Sequence, residues 1–125
     1  MRIRIRVVGA LLLFSTLAHG QQGLPGTYEA DVSGITVDGR PWYQRVTLAI
    51  TSAENGKIAG KYNVPKYSCA GDYLIEGSVK ENHLELTTSP GVLRGCGNTK
   101  IVLTVDGTRL VGKVNTYDAE FRRKQ

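Results

Sequence analysis

The feature that most constrains the fold of this chain is an alternation of apolar and polar residues with a period of two, which recurs from residue 26 onward. Between residues 45 and 51, for example, valine, leucine and isoleucine fall on one face, and arginine and threonine on the other. This period is typical of strands with one buried face, and no stretch has a convincing helical period. The predicted inward-facing residues are Tyr28, Ala30, Val32, Val46, Leu48, Ile50, Ile58, Gly60, Tyr62, Tyr73, Ile75, Val79, Leu84, Leu86, Ile101, Leu103, Val105, Leu110, Val114 and Phe121.

Turn-forming residues separate these stretches. Asp38-Gly39, Asn55-Gly56 and Asp106-Gly107 favour tight turns, because these residue types accept a positive φ at low cost. We predict about eight strands. They cover residues 26–36, 41–51, 57–64, 71–80, 83–89, 99–106, 109–115 and 119–124. Short antiparallel strands joined mostly by hairpins favour an all-β, up-and-down antiparallel β-barrel, because closure removes exposed edges. A two-sheet β-sandwich is the alternative.

The first 20 residues have the three-part layout of a secretory signal peptide. Three arginines precede an apolar run at residues 7–14 that is too short to span a bilayer, and small residues follow at positions 18–20. We therefore expect a signal peptide at 1–20, a single β-barrel domain at 21–125, and a periplasmic or secreted location. Without the leader, 13 basic and 11 acidic side chains remain, a balance that argues against a nucleic-acid binder. The composition also excludes a membrane span and a multi-domain enzyme.

The chain contains two cysteines, Cys69 and Cys96. In an exported protein, an even number of cysteines indicates a disulfide, although two separate buried thiols are the alternative. In the predicted hairpin of residues 71–80 and 83–89, the register places these two cysteines close together at the open end. On the chain-entropy model such a bridge stabilises the fold by about 3.5 kcal/mol.

The connections of the predicted barrel differ between its two ends. One end has only short turns, whereas the other includes the long connections 65–70 and 90–98, which the disulfide would join. Long loops on a rigid scaffold and barrel mouths are frequent binding sites. We therefore predict a binding site at the loop-rich end, formed by Trp42, Tyr67, Arg94, Tyr117 and Asp118. For Trp42 the alternative is a plug that closes the barrel, and for Arg94 a solubilising role.

The sequence contains no recognisable catalytic or metal-binding motif. His83 is the only histidine after the leader, both cysteines are assigned to a bridge, and acidic residues are scattered over polar faces. We therefore expect a protein that is not an enzyme and has no metal or cofactor. Tyr62 and Tyr73 are predicted to be core tyrosines with hydrogen-bonded hydroxyls.

Three stretches, Gly26-Thr27-Tyr28 and residues 46–50 and 56–62, resemble the opening strands of avidin-like barrels. More broadly, the chain resembles the calycin group, which includes lipocalins and small bacterial periplasmic metalloprotease inhibitors. Avidins line their biotin pocket with several tryptophans, and this chain has one, so biotin binding is not implied. The inhibitors use a flexible N-terminal arm, to which residues 21–25 would correspond.

Together these features favour a non-enzymatic exported β-barrel that binds another molecule at its loop-rich end. The leading hypothesis is a protein partner, such as a hydrolase that the chain inhibits. The alternative is a calycin-style carrier of a small apolar ligand. A packed barrel with an exposed apolar or charged rim would favour the first. A cavity beside Trp42 with room for more than a few waters would favour the second.

Overall fold

The computed structural model describes residues 23–89 and 96–124. These residues form eight strands: β1 (Gly26–Ile35), β2 (Pro41–Glu54), β3 (Lys57–Val64), β4 (Gly71–Lys80), β5 (His83–Thr88), β6 (Lys100–Asp106), β7 (Arg109–Val114) and β8 (Tyr117–Arg123). Each strand pairs antiparallel with the next, and β8 pairs with β1 to close a barrel. The predicted up-and-down barrel is therefore confirmed, and the sandwich alternative is not formed. The signal peptide predicted at 1–20 lies outside the described residues.

The strands follow the predicted alternation of faces. The inward residues form one continuous core, in which Val105 is partly buried, whereas Leu74 on the outer wall is exposed. The β4–β5 hairpin has the predicted register, from the pair Ile75 and Thr88 to the pair Lys80 and His83. The period of two therefore predicted which residues form the core.

Two strand boundaries differ from the prediction by more than one residue. β8 begins at Tyr117, because Asn115 takes a positive φ of 54° and the chain reverses direction over two residues. Tyr117 and Asp118 are therefore strand residues, not loop residues. β2 continues to Glu54, with a bulge between Ile50 and Ser52.

Three inward glycines, Gly60, Gly77 and Gly112, lie where neighbouring strands approach closely. A β-carbon built on any of them would lie 1.9–2.0 Å from a carbonyl oxygen of an adjacent strand. Glycine is therefore required at these positions because the backbones leave no space for a side chain.

The end of the barrel with the short turns is closed by the N-terminal segment. Leu24 is buried in the core, and its carbonyl oxygen accepts a hydrogen bond of 2.7 Å from the Tyr28 hydroxyl. The Arg123 guanidinium lies 4.9 Å from the Tyr28 ring centre and donates to the carbonyl oxygens of Gly23 and Pro25. Residues 23–25 are therefore held against the barrel and do not form an extended arm.

The opposite end carries the disulfide. Cys69, in the β3–β4 connection, is bonded to Cys96, which precedes β6, with 5.7 Å between their Cα atoms. The predicted bridge is confirmed. Across residues 23–89 and 96–124, no helix has the length and apolar character needed to cross a membrane.

Candidate binding site at the loop-rich end

The loop-rich end opens into a cleft of about 280 Å³, which we call the mouth cleft. The Cys69–Cys96 disulfide forms part of its wall, next to residues 97–99. Four valines supply apolar walls, and three aromatic residues and two carboxamide side chains, one from β2 and one from the β7–β8 turn, line the rest. The valines are Val32, Val46, Val64 and Val114, the aromatic residues are Trp42, Tyr62 and Tyr73, and the carboxamides are Gln44 and Asn115. Tyr117 and Asn98 also contact the cleft.

Trp42 is half-buried beside the mouth cleft and is held there by aromatic contacts and by a glycine. Its ring packs edge-to-face against Tyr117, with 5.1 Å between centroids, and against Tyr67, with 6.1 Å. Gly34 pairs with Trp42 across β1 and β2, and a β-carbon on Gly34 would lie 2.7 Å from the indole. The indole therefore packs directly over the backbone of β1.

Tyr67 anchors the β3–β4 connection to β2. Its backbone has a positive φ of 73°. The Tyr67 hydroxyl donates to the Tyr43 carbonyl oxygen at 2.9 Å and accepts from the Tyr43 N–H at 3.1 Å. The Lys66 N–H donates to the Gln44 side-chain oxygen at 3.1 Å. These bonds fix the long connection against the wall of the mouth.

The structure brings together three of the five predicted site residues: Trp42, Tyr67 and Tyr117. Asp118 lies on the outer wall, where its almost fully exposed carboxylate accepts a hydrogen bond of 2.9 Å from the Lys113 ammonium. It does not line the mouth cleft. Arg94 lies outside the described residues.

Around the mouth, the structure exposes a set of large apolar side chains that we call the apolar rim. Ile35 is 72% exposed and Val37 is fully exposed at the β1–β2 connection, and Tyr43 and Tyr67 are about half exposed. Tyr117 completes the set at 38% exposure. Ile35 at the end of β1 and Val37 in the following turn are apolar residues next to polar ones, a sequence signal that the prediction of the site did not use.

The polar groups of the mouth cleft are only partly satisfied. Asn115 accepts the Lys100 N–H through its side-chain oxygen at 3.0 Å, and the Tyr73 hydroxyl donates to the Cys69 carbonyl oxygen. The prediction for Tyr73 is therefore confirmed. Tyr62 is 97% buried, and burial raises its pKa. No hydrogen bond joins the Tyr62 hydroxyl to the rest of the described chain. The Tyr62 side chain lines the mouth cleft.

Within residues 23–89 and 96–124, no cluster of three His, Cys, Asp or Glu side chains could hold a metal ion. His83 is exposed on β5, 3.8 Å from the Glu85 carboxylate.

Comparison of the chain with family models, curated proteins and solved structures gave no significant match. The resemblance to the calycin group therefore stays a prediction.

Proposed function

We propose that this protein is an exported, non-enzymatic binding protein whose loop-rich end docks on a protein partner. The observation that carries the proposal is the apolar rim, a set of exposed large apolar residues at one end of a packed barrel. Contiguous exposed apolar patches mark interaction sites, and aromatic residues are enriched among those that dominate binding energy. The disulfide is compatible with the oxidising compartment that export implies.

The anchoring of the described part of the mouth supports this proposal. The disulfide joins the two long connections, and the Tyr67 hydroxyl bonds one of them to β2. A surface that is already ordered loses less conformational entropy on binding, so more of the contact energy appears as affinity.

The partner class that we propose is a hydrolase that the protein inhibits. This part of the proposal rests on the resemblance to the periplasmic metalloprotease inhibitors, because fold alone does not determine function. A rigid barrel end with protruding apolar residues has a shape suited to covering a substrate cleft. We propose that Arg94, two residues before Cys96, contributes a contact to an anionic group of the partner.

The test measures how strongly the partner protein is bound by the folded protein and by two surface variants. The double variant Ile35→Ser/Val37→Ser removes two exposed rim side chains without changing the core. Leu74→Ser is the matched control, because Leu74 is 63% exposed on the outer wall of β4. We expect at least tenfold weaker capture by the double variant and unchanged capture by the control. Equal capture by both variants would refute the docking surface.

A second candidate function is the carrying of a small ligand in the barrel mouth. The specific observation in its favour is the mouth cleft beside Trp42, whose volume of about 280 Å³ exceeds that of a few waters. Native mass spectrometry of the gently purified protein would detect a bound small molecule. We expect Trp42→Leu to lose it and Ile35→Ser/Val37→Ser to retain it. The opposite pattern would rule out the cleft as the site.

A further inference from the structure

We infer that the mouth cleft binds a compact, uncharged sugar ring rather than a fully apolar ligand. This inference rests on the second candidate function, in which a small molecule occupies the cleft, and it does not depend on the apolar rim. Four properties of the cleft support it: its size, the absence of charged side chains among its described lining residues, its hydrogen-bonding groups and its aromatic walls.

The size of the cleft limits the ligand to about one ring. The barrel interior is packed with side chains that have no solvent exposure, including Leu48, Leu86 and Phe121. A long hydrocarbon chain therefore has no channel to enter. The cleft volume of about 280 Å³ lies just below the usual range for ligand pockets, roughly 300–1,000 Å³.

The lining of the cleft disfavours a charged ligand. Among the described residues that line it, none is aspartate, glutamate, lysine, arginine or histidine. A charged group that leaves water without an oppositely charged partner loses its hydration energy uncompensated. An uncharged ligand does not incur this penalty.

Polar atoms of the cleft that have no partner among the described residues favour a ligand with acceptor oxygens. The side-chain oxygens of Gln44 and Asn115 accept backbone N–H groups, so the NH₂ group of each carboxamide remains as a donor. The Tyr62 hydroxyl, on a side chain that is 97% buried, can both donate and accept. A fully apolar ligand would cover this hydroxyl and leave it without a partner, which is costly. Sugar hydroxyls would satisfy all three groups.

The aromatic walls complete the match. Trp42 and Tyr117 both contact the cleft. The face of an aromatic ring carries partial negative charge, and the C–H groups on one side of a sugar ring carry partial positive charge. A sugar ring therefore presents an apolar face to such walls and hydroxyls to the carboxamides.

The chain offers a direct assay, because Trp42 is its only tryptophan. Intrinsic tryptophan fluorescence and the NMR signal of the indole N–H therefore report on the surroundings of Trp42, where the cleft meets the apolar rim. The probes are glucose, galactose and N-acetylglucosamine, with glucuronate and glucosamine as charged counterparts and toluene as an apolar ring of similar size. We expect at least one neutral sugar to bind, with its charged counterpart at least tenfold weaker.

Tyrosine-to-phenylalanine variants separate the role of the hydroxyl from that of the fold. Tyr62→Phe should weaken sugar binding about tenfold. Tyr28→Phe removes a hydroxyl at the closed end of the barrel and should leave the Kd unchanged. Should Tyr62→Phe fail to fold, ligand-induced shifts of the Tyr62 ring signals in the unmodified protein provide the readout, and unmoved signals would oppose the inference.

The outcomes separate the inference from the proposed functions. Binding of toluene or a charged probe alone would overturn the sugar inference and leave a small-molecule site standing. If none of the probes binds, both the sugar inference and the small-molecule function are overturned. Loss of sugar binding in Ile35→Ser/Val37→Ser would also overturn the inference, because it would place the site on the rim and not in the cleft.

Discussion

The close approach of strands at Gly77 gives the sharpest prediction about stability. A β-carbon at this position would lie 2.0 Å from the Glu85 carbonyl oxygen and 2.8 Å from the Leu86 Cα atom. Both are backbone atoms, so Gly77→Ala must move β4 and β5 apart by about 1 Å, against a well-packed core. Overpacking of this kind costs about 1–3 kcal/mol, and stretched ladder hydrogen bonds cost about 1 kcal/mol each. We therefore expect Gly77→Ala to lower the free energy of unfolding by at least about 3 kcal/mol.

The measurement is urea unfolding followed by circular dichroism, with Gly97→Ala as the matched control. A β-carbon on Gly97 would have no atom within 4 Å, and its φ is not in the left-handed region. This control should therefore change stability by less than about 1 kcal/mol, in the stabilising direction if at all. If the two variants had equal midpoints, the reasoning from backbone contact would be refuted.

Three further predictions concern other parts of the barrel. Replacing both cysteines by alanine should lower the melting temperature by roughly 15–25 °C, given about 3.5 kcal/mol for the bridge; an unchanged melting temperature in calorimetry would contradict this. Arg123→Met should accelerate proteolysis near residue 23, because the guanidinium holds that segment, whereas Lys124→Met should not. The hydrogen bonds from Arg45 and Tyr43 lower the pKa of Asp31 below its ordinary 3.8. The stability that these hydrogen bonds contribute should be complete above pH 3.8 and decline as the pH falls through the lowered pKa. In melting experiments at a series of acid pH values, the melting temperature of Asp31→Asn should therefore fall less steeply than that of the unmodified protein.

Much of the fold could be predicted from the sequence because each strand buries only one face. A period of two then identifies the core residues, and turns such as Asn55-Gly56, whose φ values are 56° and 75°, fix where each hairpin reverses. The pairing of β4 with β5 followed from the same pattern. The start of β8 at Tyr117 was not predicted, because the turn before it is closed by an asparagine in a left-handed conformation. No glycine or proline marks this turn in the sequence.

The candidate site was less predictable because it depends on contacts between distant parts of the chain. Gln44 lies on the same inward face of β2 as Trp42 and Val46. The alternation of faces, applied strictly, would therefore have placed Gln44 among the predicted site residues. Nothing local in the sequence indicates that the Tyr67 hydroxyl reaches the Tyr43 carbonyl oxygen, 24 residues away. Likewise, whether the hydroxyl of a core tyrosine such as Tyr62 finds a partner depends on the shape of the space above it.

The closed end of the barrel has a practical consequence. Residue 23 and residue 124 both lie there, since the Lys124 N–H donates to the Thr27 carbonyl oxygen at 2.8 Å, just after the segment that Arg123 holds. A tag, a fluorescent protein or a solid support attached directly at residue 23 or residue 124 would lie at the closed end, opposite the mouth. Immobilised or fused forms of the domain should therefore present their loops to solution without obstruction.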